Sequence, residues 1–178
     1  LAEEIDLILH NGAWVNFIYP YQMLKAANVQ GTQELLRLAA LTKLKPFHFV
    51  STPSVFPPTN SPDNKVSESD RPEHWKGLVG GYPQSKWVAE GLVYLAAERG
   101  MPVCIHRPGS IWGDVHRGIC NTRDMILRMV KGFIDLGMAP DSGEELRPVP
   151  VDYVSRAIVW IASHPLSSLR VFHLINPK

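Results

Sequence analysis

The chain has 178 residues, 45% hydrophobic and 20% charged, a composition that fits one soluble folded domain and is too apolar and evenly charged for disorder. Eighteen basic and 17 acidic residues leave a net charge of +1, which gives no electrostatic case for nucleic acid or an acidic membrane surface. No run of about 18 apolar residues offers a membrane span, and two cysteines, Cys104 and Cys120, are too few for a disulfide framework and fit a reducing compartment.

The N-terminal stretch LAEEIDLILHNGAW has no basic region before its apolar run, so it does not read as a signal peptide. Opening on Leu1 rather than Met, the sequence reads as a fragment. Ile5 to His10 is a short apolar run of buried-strand character, ended by Asn11-Gly12-Ala13. Leu24, Ala27, Gly31, Leu35, Leu38 and Thr42 recur at three- and four-residue spacing, the signature of one helix face. Gly31 in the middle of that face costs up to about 1 kcal/mol against alanine, so a close backbone approach is expected there. Phe47 to Ser51 reads as a second strand. Residues 53–80 carry Pro53, Pro57, Pro58, Pro62 and Pro72 and no period, a loop long enough to be a lid or binding loop. Gly80-Gly81 closes it. A helix follows, with Pro83 in its first turn and Gly100 as its C-terminal stop.

Pro102 to His106 reads as a third strand leading into Arg107-Pro108-Gly109. Arg123 to Gly132 reads as a helix, with Met125, Met129 and Met138 packing a core or a substrate tunnel. Leu146 to Val149 is a short extended run, Val151 to Ser163 a helix and Val171 to Ile175 a last strand. Alternating strands and helices imply right-handed parallel crossovers, hence a doubly wound α/β sheet.

The spacing Tyr-x-x-x-Lys occurs twice, as Tyr82…Lys86 and Tyr21…Lys25. At four residues apart on a helix the two side chains share a face. An ammonium there favours phenolate, and such a tyrosine can exchange a proton with a carbonyl oxygen while hydride moves at carbon. Random placement of 5 Tyr and 8 Lys in 178 residues supplies about 0.2 such spacings, and at least one of the two reads as accidental. Tyr82 has the better context. Before it stands a strand ending in Ser51-Thr52, and after it a strand ending in Arg107-Pro108-Gly109, the kind of sheet edge where sites form. Tyr21 reads as a surface pair at a helix start. Thr52 or Ser51 could equally close an ordinary hydroxyl turn, and Asn11 could be a turn residue. No H-E-x-x-H or paired Cys spacing points to zinc, so no metal is expected; His10 and His48 read as satisfied core or strand-end histidines. No Gly-x-Ser-x-Gly elbow points to a hydrolase.

The ordered set HNGAWVNF, ANVQGTQELLRLA, FVSTPSVF, GGYPQSKWVAE, HRPGSIWGD and VPVDYV resembles the extended short-chain dehydrogenases/reductases. It is most similar to their thioester reductase group, the reductase domains of nonribosomal peptide synthetases and carboxylic acid reductases, related to the male-sterility fatty acyl-CoA reductases. The resemblance implies a Rossmann-like sheet, incomplete at its N-terminus. Residues 1–115 would be the catalytic half of the core, and 116–178 part of a substrate-binding subdomain with returning sheet elements. It implies Thr52 as hydrogen-bond donor to the substrate carbonyl, Tyr82 as general acid, and Lys86 on the nicotinamide ribose. Asn11, Gly12 and Ala13 would lie against the cofactor, NADPH, with Pro108 and Gly109 bordering its nicotinamide. Asn28 would have a supporting, structural role. Asp152 reads as a helix N-cap or first-turn acid first and a site-bordering residue second. The implied reaction is reductive release of a carrier-protein-bound thioester as aldehyde or alcohol, with the substrate between the sheet edge and loop 53–80.

The implied partner is a carrier protein bearing phosphopantetheine, docking at Arg117, Arg123 or Arg128. The implied setting is a monomeric domain of a cytoplasmic multidomain protein. A nucleotide-sugar epimerase or dehydratase, and a non-catalytic nucleotide sensor of the same fold, are the rival readings. The group's Gly-x-x-Gly-x-x-Gly phosphate turn does not occur in these residues. The sequence also ends at Asn176-Pro177-Lys178, where the group continues into its substrate-binding subdomain, so both ends read as cut, and the 178 residues alone are expected to bind the cofactor weakly or not at all.

Overall fold

The computed structural model describes residues 2–58, 65–141 and 147–176. Four strands form one parallel sheet in the order β1 (Ile8–His10), β2 (Phe47–Val50), β3 (Val103–Pro108) and β6 (Arg170–Leu174). Between β1 and β2 run α1 (Tyr21–Lys25), a π-helical turn (Ala26–Gln30) and α2 (Gly31–Ala40); between β2 and β3 runs α3 (Gly81–Glu98). β4 (Ile111–Trp112) pairs with β5 (Val149–Pro150) in a small second sheet that brackets α4 (Met125–Leu136), and α5 (Val151–Ala162) leads back to β6.

Alternation along the strands assigns the two faces. Phe47, Phe49, Val103 and Ile105 pack with Ala39 of α2 and with Ala89 and Val93 of α3. Val50 and Leu174 face the other way, against Val154 and Ile158 of α5. Helices thus cover both faces, the doubly wound arrangement the alternation predicts. Phe47 and Phe49 are fully buried, each contributing about 1.5–3 kcal/mol of apolar transfer.

Several expectations shift. The first strand is three residues long instead of six, because its partner begins only at Phe47, opposite Ile8. The π-helical turn inserts an extra residue into the predicted helical period, so Asn28 is buried where Ala27 was expected and Ala27 is exposed. A Cβ on Gly31 would meet only the Ala26 carbonyl, at 3.8 Å, so no close approach accounts for that glycine. α4 starts two residues later than predicted, after Asp124, whose carboxylate caps Ile126 and Leu127, and runs on to Gly137 (φ +67°). Of the extended run 146–149, only Val149 belongs to a strand, and Leu146 lies outside the described residues. Asp152 is a first-turn acid and not the N-cap, which is Pro150; it accepts from the Val115 N–H at 3.2 Å. Among the described residues no helix is long and apolar enough to cross a membrane.

Candidate active site

The site is built on the first three turns of α3. Gly80 has φ +87°, a conformation that favours glycine. Gly81 packs directly on the backbone of Tyr19, Pro20 and Tyr21, where a Cβ would collide. That contact seats the helix against the start of α1 and fixes where Tyr82 begins. Tyr82, Lys86 and Glu90 then follow at four-residue intervals on one buried face.

The Lys86 ammonium donates to the Val50 carbonyl at 2.8 Å and lies 4.0 Å from the centre of the Phe49 ring. Burial pushes it down to about 7, with the Glu90 carboxylate pulling the other way. Tyr82, edge-on to Phe17 at 5.3 Å, is pushed up to about 12 by burial. Lys86 spends one hydrogen bond on the β2 carbonyl, and burial is what moves the phenol.

Tyr82 and Lys86 line a cleft of about 440 Å³ at the carboxyl ends of the strands. Thr52 from the end of β2, Asn11 and Ala13 from the end of β1, and Pro108 and Gly109 from the end of β3 line it too. Gly12 is not part of its lining; the Gly12 N–H turns back to His10 Nδ1 at 3.3 Å. Thr52 forms the hydroxyl turn allowed for it, since its Oγ1 accepts from the Ser54 N–H at 3.2 Å. Its own O–H points only to Ser54 Oγ at 3.3 Å, a long contact that a better acceptor in the cleft can displace.

The outer wall differs from the one expected. It comes from β4 (Ile111, Trp112) and the start of α4 (Asp124, Met125, Ile126), with Val15 and Phe17 opposite. Of loop 53–80, only Pro53 and Ser54 among the described residues line the cleft; Asp70 and Pro72 are held by Arg107 and Trp87 instead. Met125, Met129 and Met138 are all exposed, and of the three Met125 lines the cleft.

A second buried chain of hydrogen bonds supports the site from behind β1. Asn28 accepts from the Trp14 N–H at 2.6 Å and donates both to the Trp14 carbonyl at 3.1 Å and to Ser85 Oγ at 2.9 Å. Ser85 in turn donates to the Tyr82 carbonyl at 2.8 Å. Asn28 thus ties the segment after β1 to the helix of Tyr82, the structural role expected of it. His10 Nε2 lies 2.9 Å from Thr32 Oγ1 in the same layer. Lys25 of the alternative Tyr21 pair is exposed.

Glu90 escapes motif reading, and Arg107 was singled out only as part of a strand end. They form a fully buried ion pair at 2.7 Å behind Thr52 and Pro108. The available signal was an acid at the next i+4 step of the Tyr82–Lys86 series. Among the described residues one group could hold a metal, His48, Cys104 and His106, on the sheet face turned away from α3. Its two histidines share a hydrogen bond of 3.1 Å with near-parallel rings, and burial pushes the Cys104 thiol up to about 12.

The sequence pattern of the male sterility protein family, an NAD-binding family, matches residues 1–158. The chain belongs to this family. Over 179 residues the family member is 48% identical to a linear gramicidin synthase component of Brevibacillus parabrevis, covering 100% of this chain and 4% of that protein. It is 42% identical over 176 residues to L-2-aminoadipate reductase of Saccharomyces cerevisiae, covering 93% of this chain and 13% of that one. The terminal R domain of the myxalamid PKS-NRPS pathway superposes with a TM-score of 0.94 at 50% identity, covering 99% of this chain and 44% of that structure. A thiolation-reductase di-domain of an archaeal non-ribosomal peptide synthetase gives 0.82 at 26%, covering 98% and 49%. UDP-glucuronic acid 4-epimerase of Bacillus cereus, at 0.72 and 19% identity, covering 99% and 56%, shares the fold alone. The chain spans less than half the length of these synthetase and reductase relatives.

Proposed function

We propose that this chain is the catalytic part of an NADPH-dependent reductase that releases an acyl or peptidyl thioester from a carrier protein as an aldehyde, with the alcohol as the product of a second reduction. The observation that carries the reading is the convergence of Thr52, Tyr82 and Lys86 on one cleft at the sheet's carboxyl edge. Identity of 48–50% to a gramicidin synthase component and a terminal R domain supports the thioester class over a sugar nucleotide. In this reading residues 1–115 form the catalytic half of the core, and 116–178 contribute to the substrate side and return β6 to the sheet.

The residues suit the nicotinamide riboside half of the cofactor. Lys86 has two N–H groups left after its bond to Val50, for ribose hydroxyls. Pro108 and Gly109 offer a flat, uncharged wall for the ring, and Asn11 and Ala13 complete that side. The nicotinamide, when bound, supplies hydride to the thioester carbon. Thr52 donates to the carbonyl oxygen and holds it within reach of Tyr82. Tyr82 gives its phenolic proton to that oxygen as the carbonyl π bond breaks, which yields a thiohemiacetal. The carbon–sulfur bond then breaks, the hydroxyl proton passes to sulfur, and aldehyde and free thiol leave. Lys86 sits one turn from Tyr82 and supplies positive potential as the phenol loses its proton.

A carrier protein bearing a phosphopantetheine thioester is the partner in this reading, and the chain is a monomeric segment of a cytoplasmic multidomain enzyme. The archaeal thiolation-reductase di-domain supports the partner, and the two free cysteines support the compartment. The test is Tyr82→Phe in the full-length protein. NADPH oxidation with an acyl thioester is expected to fall by about 10²–10⁴-fold, the range for a lost general acid. Unchanged turnover overturns the assignment.

A further inference from the structure

At the back of the cleft, Ser51, which lines it, meets Glu90 and Arg107, which do not, with almost no access to water. Ser51 is 4% exposed, and Glu90 and Arg107 are 0% exposed. Both carboxylate oxygens of Glu90 are engaged. Oε1 accepts from Arg107 Nη2 at 2.7 Å; Oε2 accepts from Arg107 Nε at 3.4 Å and from the Ser51 hydroxyl. The rest of the guanidinium is also committed. Nη2 donates to Tyr94 Oη at 3.0 Å and shares the Asp70 carbonyl with Nη1, while Nη1 lies 3.1 Å from His173 Nε2. The Phe56 ring stacks on it at 4.7 Å.

The positions of these residues in the chain give the cluster its meaning. Ser51 immediately precedes Thr52, and Arg107 immediately precedes Pro108. Glu90 lies one helical turn beyond Lys86, itself one turn beyond Tyr82. One carboxylate therefore ties together the strand end that carries the hydroxyl donor, the helix that carries the acid, and the strand end that borders the ring. Stability alone is a weak reason for such a pair. Burying two charges costs several kcal/mol each, and apolar replacements of buried pairs are often neutral or stabilising. A saturated, directional network does confer fixed geometry, and a misplacement of about 1 Å at a reacting centre can cost about 10²-fold in rate.

We propose that Glu90 is a positioning residue of this site, clamping Ser51 and Arg107 so that Thr52, Tyr82 and Pro108 keep one fixed spacing. The proposal rests on the reductase reading above. It predicts a loss in kcat, because Glu90 and Arg107 do not line the cleft and act through the residues that do. It also predicts a displaced pH profile. Lys86 is faced by Glu90 on α3, with Tyr82 one turn before it, by His10 on β1, and by the Phe49 ring and the Val50 carbonyl on β2, while Arg107 on β3 is paired to Glu90. Removing the Glu90 charge takes away the nearest anion, so a limb set by Lys86 moves to lower pH.

The experiment uses the full-length protein, with acyl-thioester kinetics and backbone amide exchange over residues 50–54 and 106–110. Glu90→Gln keeps the side-chain volume and removes the charge. It is expected to lower kcat by about 10- to 100-fold with both KM values within about twofold, to move the limb to lower pH, and to speed exchange in both segments. A kcat within about twofold of wild type, or a loss carried entirely by KM, overturns the proposal. If Glu90→Gln yields no folded protein, Ser51→Ala decides, since it deletes one hydroxyl and leaves the ion pair intact. A several-fold fall in kcat with faster exchange over 50–54 supports the clamp, and wild-type values overturn it. If the wild type fails to turn over acyl thioesters while exchange still responds to Ser51→Ala, the reductase reading fails and the clamp stands; unchanged exchange overturns the clamp on its own.

Discussion

Burial keeps three histidines of the sheet neutral. His10 and His106 are each pushed down to about 4 from an ordinary 6.5, and His48 is pushed down as well, with desolvation the leading cause for all three. Their folded-state values lie below the unfolded ones. Between pH 6.5 and 4 the unfolded chain binds protons that the folded chain refuses, so stability is present above 6.5 and drains away as pH falls. Urea unfolding of the protein should lose up to about 3 kcal/mol for each of His10 and His106 over that window, and a flat profile there would contradict their burial. His10 and His48 were readable as core histidines from their place in apolar runs. The hydrogen bond between His48 and His106 was not, because it joins side chains 58 residues apart.

The helices differ in how far their patterns could be read. α3 and α5 match their expected spans closely, because each is framed by Gly or Pro and carries a continuous pattern. The α1–α2 segment departs from a uniform 3.6 period at its π-helical turn, and no residue type announced that turn. The two glycines of this region make opposite predictions. A methyl on Gly31 meets nothing closer than 3.8 Å, so Gly31→Ala should raise thermal stability by about 0.5–1 kcal/mol. A methyl on Gly81 strikes the backbone of Tyr19 and Tyr21, so Gly81→Ala should cost about 1–3 kcal/mol or more and displace Tyr82. Thermal melts of the two variants side by side check both signs.

At the scale of the whole molecule the site lies where parallel strands end and the small β4–β5 sheet with α4 closes over them. Arg123 and Arg128 are exposed and flank Asp124, Met125 and Ile126 of the cleft wall. If a carrier protein presents its thioester there, Arg123→Glu with Arg128→Glu should raise KM several-fold for the carrier-bound substrate. The effect should fade at high salt, and KM for a small free thioester should not change. An equal change for both substrates would remove these arginines from the docking surface.

Composition, periodicity and the two Tyr-x-x-x-Lys spacings were enough to name a doubly wound α/β fold, to prefer Tyr82 over Tyr21 and to pick Thr52 and Pro108-Gly109 as strand-end residues. These are local properties, set by side-chain alternation, turn chemistry and distance along one helix. The burial of Tyr82, the attachment of Lys86 to a β2 carbonyl, the cleft wall from α4 and the Glu90–Arg107–Ser51 joint came only with the folded chain. Each depends on desolvation or on groups far apart in sequence, and neither is encoded in spacing. A carboxylate four residues after a lysine is an ordinary surface pattern until the sheet closes over it; buried between two strand ends, its hydrogen bonds run to Ser51 and Arg107.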